Sequence, residues 1–201
     1  MEKKINWYKI LLYGVFLVFI LFSLYLVINF KIGISPDSSY HLEVSKAYSQ
    51  TLFRPENTPD TYQWRDITRI SYLFFWINGR ILNINNGVIN EVILLRIVNV
   101  IYSIGTVIVT YLLSKEIFKN KWKRLLPIFL LTNTLMFVFL SSSINYDNLA
   151  NLLSVLSILF FVKFVKSEID IKYLLLMILF LFIHILPTVL YCFNQSLFNL
   201  S

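Results

Sequence analysis

Five long apolar runs, separated by polar segments, dominate the chain and predict membrane-spanning helices. A helix needs about 20 apolar residues to cross a bilayer core of about 30 Å. Backbone groups in lipid must also pair within their own segment, which excludes open strands. The predicted spans cover residues 10–30, 92–113, 125–140, 149–162 and 173–191, and we expect the short third and fourth runs to extend a turn into their polar flanks. The sequence therefore predicts an all-α, polytopic membrane helix bundle of about five spans, a single integral membrane domain over residues 1–201.

The first polar segment, residues 31–91, is too long to be a simple connector and carries two shorter helical patterns. From Ser38 the apolar positions recur at helical spacing, at Tyr40, Val44, Ala47 and Tyr48. A second stripe runs through Ile67, Ile70, Phe74, Ile77 and Ile81, with further aromatic residues beside it. Aromatic rings on such helices suit the bilayer interface. We expect two amphipathic surface helices that roof the bundle, and a loop that only packs against the spans is the alternative.

The net charge of +7 lies on one side of the predicted membrane topology. If the N-terminus and the loops at 114–124 and 163–172 face the cytoplasm, that side holds eleven basic and four acidic residues, and the outer side is neutral. This is the asymmetry of the positive-inside rule, so the basic charge requires no nucleic-acid partner. We predict an integral protein of a bacterial cell membrane with a cytoplasmic N-terminus, anchored by an uncleaved first span.

Asp37 is the leading candidate for chemistry, because it follows the first span directly and begins the first surface helix. A carboxylate at a water–lipid boundary can act as a general base or hold a divalent cation. His41 follows one helical turn later and can face the same side as a substrate-binding residue. The alternatives are that Asp37 only caps the helix and that His41 is only a polar tip at the interface.

The second candidate cluster is the polar loop between the third and fourth spans. Asp147 is expected on the same side as Asp37, where the two could share a metal or form an acid–base pair, and Asn145 in this loop is a substrate-binding candidate. Arg96, near the outer end of the second span, could bind a phosphate with its guanidinium fork. The alternatives are that Asp147 caps the fourth span, and that Arg96 snorkels or pairs with Glu91.

Three ordered stretches resemble the polyprenol-phosphate-dependent glycosyltransferases of the GT-C fold, the superfamily of protein O-mannosyltransferases and bacterial aminoarabinose transferases. Pro36 and Asp37, with His41 shortly after, resemble the first-loop motif, although Ser38 stands where the family commonly has glutamate. The second-span pattern and the third-span exit are also similar; these stretches cover residues 94–113 and 133–149. The resemblance extends over about residues 34–160.

The resemblance implies transfer of a sugar from a polyprenyl-phosphate donor to an acceptor at the outer membrane face. Asp37 would be the catalytic base or a metal-proximal acid, and Asp147 a second acid near the metal, expected to be Mg²⁺ or Mn²⁺, or near the donor phosphate. Since the chain ends after about five spans, we expect it to be the N-terminal part of such a fold. The alternatives are a non-catalytic membrane protein that binds lipid or a partner, and a small transporter component.

Overall fold

The structure is a computed structural model that describes residues 6–31, 33–35, 37–56, 58–59, 72–167 and 169–183. Within these ranges the fold is all-α, with eight α-helices and no strand. The helices are α1 (Trp7–Asn29), α2 (Ser38–Gln50), α3 (Tyr72–Asn85), α4 (Glu91–Ile117), α5 (Leu125–Asn133), α6 (Leu135–Ser141), α7 (Asp147–Lys166) and α8 (Ile171–Ile183). A 3₁₀ turn, Trp122–Arg124, precedes α5.

Three of these helices, α1, α4 and α7, are long and apolar enough to cross a membrane, which confirms the predicted first, second and fourth spans. A fourth candidate is the pair α5 and α6, which passes the same criteria only when the two helices are taken together. The predicted fifth span falls on α8, whose 13 described residues form a shorter apolar helix, and the rest of that prediction lies outside the described residues. The described chain thus has three or four candidate spans and is an integral membrane protein by this criterion.

The predicted third span is interrupted in the structure, because the helix breaks between α5 and α6 with a bend of 66°. Polar side chains at the break take up the backbone carbonyls that the interruption frees. The Asn133 amide donates to the Phe129 carbonyl (2.8 Å), and the Thr134 hydroxyl donates to the Leu130 carbonyl (2.8 Å). Side chains that bond to backbone one turn earlier compete with a regular helix and often bend it. The apolar run predicted the length of this segment but not its direction.

The bundle has two apolar clusters, an inner one and an outer one. The inner cluster lies between α1, α4 and the bent pair, where Phe19 stacks on Phe137 with ring centroids 5.6 Å apart. The outer cluster joins α2 and α3 to the outer ends of α4 and α7, and Phe74, Phe75 and Leu95 in it are fully buried. Helices α2 and α3 therefore belong to the packed core.

The predicted first surface helix is confirmed as α2, and the second is confirmed in part as α3. Ile67 and Ile70 of the second stripe lie outside the described residues, whereas Phe74 is buried against α2. The two helices pack on each other and on the spans, as the alternative interpretation expected; their contact with lipid stays a prediction. Gly79 makes the close crossing possible, since a Cβ there would lie 2.7 Å from the Tyr48 carbonyl carbon.

The two ends of the bundle are chemically distinct, as the charge pattern predicted. The Tyr8 hydroxyl donates to the Tyr111 hydroxyl (3.2 Å), and the Tyr8 ring meets Trp122 at 6.1 Å. These contacts gather the start of α1, the end of α4 and the 3₁₀ turn at one end, which we call the basic end. The opposite end, which we call the outer end, holds Asp37, α2, α3 and the loop at residues 142–146. The cytoplasmic assignment of the basic end remains a prediction.

Candidate functional site

Asp37 stands at the N-cap position of α2, but its side chain does not act as a cap within the described part of the chain. The residue has φ 58° and ψ 6°, a left-handed conformation that is uncommon outside glycine. This backbone geometry leaves the carboxylate exposed to solvent. Asp37 therefore occupies the N-cap position that the helix-cap alternative expected, but its side chain makes no capping hydrogen bond to the described residues. An exposed carboxylate of this kind is available to a substrate hydroxyl or to a cation.

His41 is almost completely buried beneath Asp37, at 3% exposure. The centroid of its ring lies 5.6 Å from that of Phe75 and 5.3 Å from that of Tyr146, and the His41 and Tyr146 rings are nearly perpendicular. Burial lowers the pKa of His41 from 6.5 to about 4, and the nearby charge of Asp37 only partly opposes this shift. The imidazole is consequently neutral near pH 7. Its Nδ1 has no hydrogen-bond partner among the described residues, so His41 is a core residue of the site and not an exposed polar tip.

Asp147 is the first residue of α7, and the N-cap position belongs to Tyr146, which makes no side-chain capping bond. The Asn145 side-chain oxygen accepts a hydrogen bond from the Asp147 backbone N–H (2.9 Å), and Asn145 is 8% exposed. Its amide oxygen thus has a structural role, and its predicted contact with substrate is untested. Asp147 lies in the first turn, where a carboxylate is favoured by the helix dipole. The interpretation of Asp147 as the cap is wrong, and its half-buried carboxylate makes no hydrogen bond or ion pair with any described residue.

Tyr146 connects the two acidic residues and was not predicted from the sequence. Burial raises the pKa of Tyr146, and the charges of Asp147 and then of Asp37 raise it further. Both carboxylates therefore act on one phenol, which places them at the same end of the bundle. Tyr146 is 40% exposed, and its inner edge rests on His41. The sequence signal was weak, since a single tyrosine in a polar loop is common.

Arg96 has a role that sequence reasoning missed, because its partner is the end of another helix. It is 3% exposed, and its guanidinium donates to the carbonyls of Val27 (3.0 Å) and Phe30 (2.7 Å) at the end of α1. A cation is stabilised there by the helix dipole and by free carbonyls. The alternative pairing with Glu91 is wrong, because that carboxylate lies 3.2 Å from Lys46. Phosphate binding by Arg96 stays a prediction. The Nε atom of Arg96 has no hydrogen-bond partner in the described chain.

Two other arginines repeat this arrangement. Arg80 donates to the carbonyls of Tyr48, Ser49 (3.4 Å) and Thr51 at the end of α2. Arg124 donates from its Nε to the Phe118 carbonyl (2.9 Å) just after α4. Each guanidinium therefore closes the C-terminal end of a helix through bonds to backbone, which fixes the lengths of α1, α2 and α4.

A buried amide network anchors the loop at residues 142–146 to α4. The Asn148 amide donates to the Asn99 side-chain oxygen (2.9 Å) and to the Leu140 carbonyl (2.8 Å). The Ser103 hydroxyl donates to the Asn148 side-chain oxygen (3.2 Å), and the Asn145 backbone N–H donates to Asn99 (3.3 Å). Asn99, Asn148 and Ser103 are fully buried. This network positions Tyr146 and Asp147. The available signal was Asn99 itself, a polar residue inside a predicted span.

The outer end also holds buried polar atoms that lack partners within the described ranges. They are Ser35 Oγ, Ser38 Oγ, His41 Nδ1, Tyr48 Oη and both amide atoms of Asn78. Leaving such atoms unpaired costs about 1–3 kcal/mol for each group. Ser38, which occupies the position of the family's glutamate, is buried at 1% exposure and so does not extend the acidic surface of Asp37.

A metal at this site would have oxygen ligands only. The described residues contain no group of three or more His, Cys, Asp or Glu side chains placed to hold an ion. Asp37 and Asp147 nevertheless supply two carboxylates at one end, which is the donor set that Mg²⁺ uses together with water and substrate phosphate. Two carboxylates are fewer ligands than a preformed protein cage needs, so binding of Mg²⁺ or Mn²⁺ by Asp37 and Asp147 stays a prediction.

No family model, no curated protein and no solved structure matches the chain. The resemblance to the GT-C glycosyltransferases is accordingly carried by the three stretches of sequence alone and remains a prediction.

Proposed function

We propose that the protein is a membrane glycosyltransferase of the GT-C type, or the N-terminal part of one. It would transfer a sugar from a polyprenyl-phosphate carrier to an acceptor hydroxyl at the outer end of the bundle. The observation that carries the proposal is the exposed carboxylate of Asp37, held in a left-handed conformation and free of a capping hydrogen bond to the described residues. Strained backbone that presents a polar side chain is frequent at active sites.

In the proposed reaction, Asp37 accepts the proton of the acceptor hydroxyl as the new glycosidic bond forms. The bond between the sugar and the carrier phosphate breaks at the same time, and its electron pair leaves with the polyprenyl phosphate. General-base assistance of this kind contributes about 10²–10⁴-fold to a rate. A divalent cation, if bound by Asp37 and Asp147, would neutralise charge on the departing phosphate.

Neighbouring residues give the site a defined shape and charge in this proposal. Asp147 adds a second negative charge near Tyr146, and the neutral His41 forms an apolar floor. Tyr146 is partly exposed beside the carboxylates, and in this proposal its ring packs against the sugar. Arg96 binds the end of α1 through Nη1, so its contribution to donor binding would come through Nε or Nη2.

The test uses membranes from cells that express the full chain, supplied with polyprenyl-phosphate carriers that bear radiolabelled sugars. Release of label from the lipid fraction into acceptor material measures transfer. Asp37→Asn should lower the rate to background, because the amide cannot accept the proton. The matched control is Asp170→Asn at the other end, where the side-chain oxygen only accepts the Lys172 backbone N–H (3.0 Å) and the amide retains that oxygen.

Full transfer by the Asp37→Asn variant would remove the catalytic role of Asp37. If wild-type membranes transfer no label from any carrier above vector membranes, the glycosyltransferase proposal fails for this chain. The non-catalytic alternative then predicts that the purified chain still retains a polyprenyl-phosphate lipid.

A further inference from the structure

A groove of about 590 Å³ runs along the surface of the inner half of the bundle, far from Asp37. One wall is α1 from Ile10 to Phe22, and the other is formed by Phe129, Thr132, Leu135 and Val138 of the bent pair. Its volume falls within the range of about 300–1,000 Å³ that is typical of sites for small molecules. The second wall includes the break between α5 and α6, where the chain bends by 66°.

The groove has the length of one leaflet. Twelve residues of helix between Ile10 and Phe22 rise about 18 Å, whereas half of a bilayer core measures about 15 Å. Trp7 lies one turn above Leu11 on the same stripe of α1 and is 63% exposed, which suits a ring at the membrane interface. The groove therefore begins at the basic end and stops near the middle of the membrane.

The lining of the groove accepts hydrocarbon. Its two polar members each donate a hydrogen bond to their own helix, the Thr132 hydroxyl to the Ile128 carbonyl (2.9 Å) and the Asn133 amide to the Phe129 carbonyl. A straight helix from a second protein could not follow a wall that bends by 66°, whereas a flexible chain could. Gly14 opens the groove, because a Cβ built there meets no atom within 4 Å.

The mouth of the groove is cationic. The ring contact between Tyr8 and Trp122 joins the first turn of α1 to the 3₁₀ turn, which brings the exposed Lys121 and Lys123 to this entrance. The described acidic residues of this end are engaged elsewhere, since Glu116 lies 3.6 Å from Lys166 and Asp170 accepts the Lys172 backbone N–H. A basic pocket between membrane helices is complementary to an anionic lipid headgroup.

We propose that this groove is a binding site for an anionic phospholipid of the leaflet at the basic end. One acyl chain lies between α1 and the bent pair, and the phosphate lies near Lys121 and Lys123. The site is independent of the proposed glycosyl transfer, because it opens at the opposite end from Asp37. Occupancy would support the break in the third span by filling the space that the bend leaves.

The test is native mass spectrometry of the full chain, purified in detergent and equilibrated with an equimolar mixture of phosphatidylglycerol and phosphatidylcholine that carry the same acyl chains. We expect retained phosphatidylglycerol to exceed phosphatidylcholine by about fivefold or more. Gly14→Leu, whose Cβ would meet no protein atom within 4 Å, places an isobutyl group in the groove and should abolish retention of both lipids. The control is Leu17→Phe, which adds bulk to an exposed face of α1 outside the groove.

The charge contribution is tested separately. The double variant Lys121→Gln with Lys123→Gln should bring the ratio of phosphatidylglycerol to phosphatidylcholine down to about one, because each lysine near an anionic headgroup contributes about 1 kcal/mol. Lys163→Gln is the matched control, since that ammonium lies over the Tyr173 ring (5.9 Å) between α7 and α8. Equal retention of the two lipids by the wild type would overturn the proposal. So would unchanged retention in Gly14→Leu, or a dimer that this variant disrupts, which would identify a second copy as the occupant.

Discussion

The outer end and the basic end of this bundle use polar residues in opposite ways. At the outer end, serines, asparagines and a histidine are buried, and several of their atoms have no partner in the described chain. At the basic end, lysines remain exposed. Part-buried hydroxyls there have hydrogen-bond partners, as Ser114 has in the Arg124 carbonyl and Tyr8 has in Tyr111. The exposed charges of the basic end thus suit orientation in the membrane and contact with lipid. The outer end, in contrast, loses stability to its unpaired buried groups and holds a specific arrangement of polar residues.

The physical reason for the difference is desolvation. An exposed lysine gains little from any one contact but costs little, because water and lipid phosphates solvate it. A buried amide or imidazole gains only when all its hydrogen-bonding groups are paired. Buried polar groups that lack partners in the described chain are therefore informative, and most of them lie at the outer end. Four substitutions test this contrast between the two ends, beginning with the largest effect.

The largest effect should come from the amide network at the outer end. Asn148→Ala removes the donors to Asn99 and to the Leu140 carbonyl, and it leaves these two buried acceptors less well satisfied. We expect a loss of about 4 kcal/mol in the free energy of unfolding. Thermal unfolding of the purified protein in detergent measures it. The control, Asn120→Ala at the basic end, removes an exposed bond to Trp122 and should cost less than about 1 kcal/mol; equal losses would contradict the contrast.

The second effect is a pH dependence caused by His41. Its pKa is about 4 in the folded protein and 6.5 when exposed, so the unfolded chain takes up a proton first as the pH falls. Stability should therefore fall between pH 6.5 and pH 4, by about 3 kcal/mol in total, and be unaffected by this group above that range. His41→Gln should remove this portion of the pH dependence. A wild type and a variant with parallel stability curves across this window would show that His41 is not buried and neutral.

The third effect concerns the crossing of α2 and α3. Gly79→Ala would bring a Cβ to 2.8 Å from the Tyr48 Cβ and 2.9 Å from the Ser49 nitrogen. Since these are backbone and near-backbone atoms, the helices must separate, at a cost of about 2 kcal/mol. Gly14→Ala is the matched control, because nothing lies within 4 Å of its new methyl group and helix propensity should make it neutral or stabilising. Unfolding in detergent compares the two variants; an unaffected Gly79→Ala would argue against the packed outer layer.

The smallest effect is expected from the ion pair at the basic end. Glu116→Gln removes the partner of Lys166, whose side chain is 51% exposed. Exposed pairs contribute about 0–1 kcal/mol, so the free energy of unfolding should fall by less than about 1 kcal/mol. Any difference between the variant and the wild type should disappear in high salt. A loss as large as that of Asn148→Ala would mean that both ends depend on buried polar contacts. The comparison between the two ends would then fail.

Local patterns in the sequence predicted most of the helices. The apolar runs predicted α1, α4 and α7 and the length of the bent pair, and the spacing from Ser38 predicted α2. Helical spacing and the apolar length needed to cross a bilayer are properties of consecutive residues, so they can be read without knowing the fold. The grouping of Asp37 and Asp147 at one end also followed, because alternate spans must return to alternate sides.

Partners that are distant in sequence could not be predicted in this way. Arg96 finds the carbonyls of Val27 and Phe30, and Tyr146 rests on His41 between two carboxylates, only because the helices pack as they do. The break at Thr134 likewise depended on side chains that bond to backbone inside the membrane. Sequence alone determined the class of protein, its spans and its charged end, since hydrophobic burial and charge asymmetry act on composition. The tertiary structure decided which polar groups are buried and what they meet, because desolvation and hydrogen bonding depend on the positions of particular atoms.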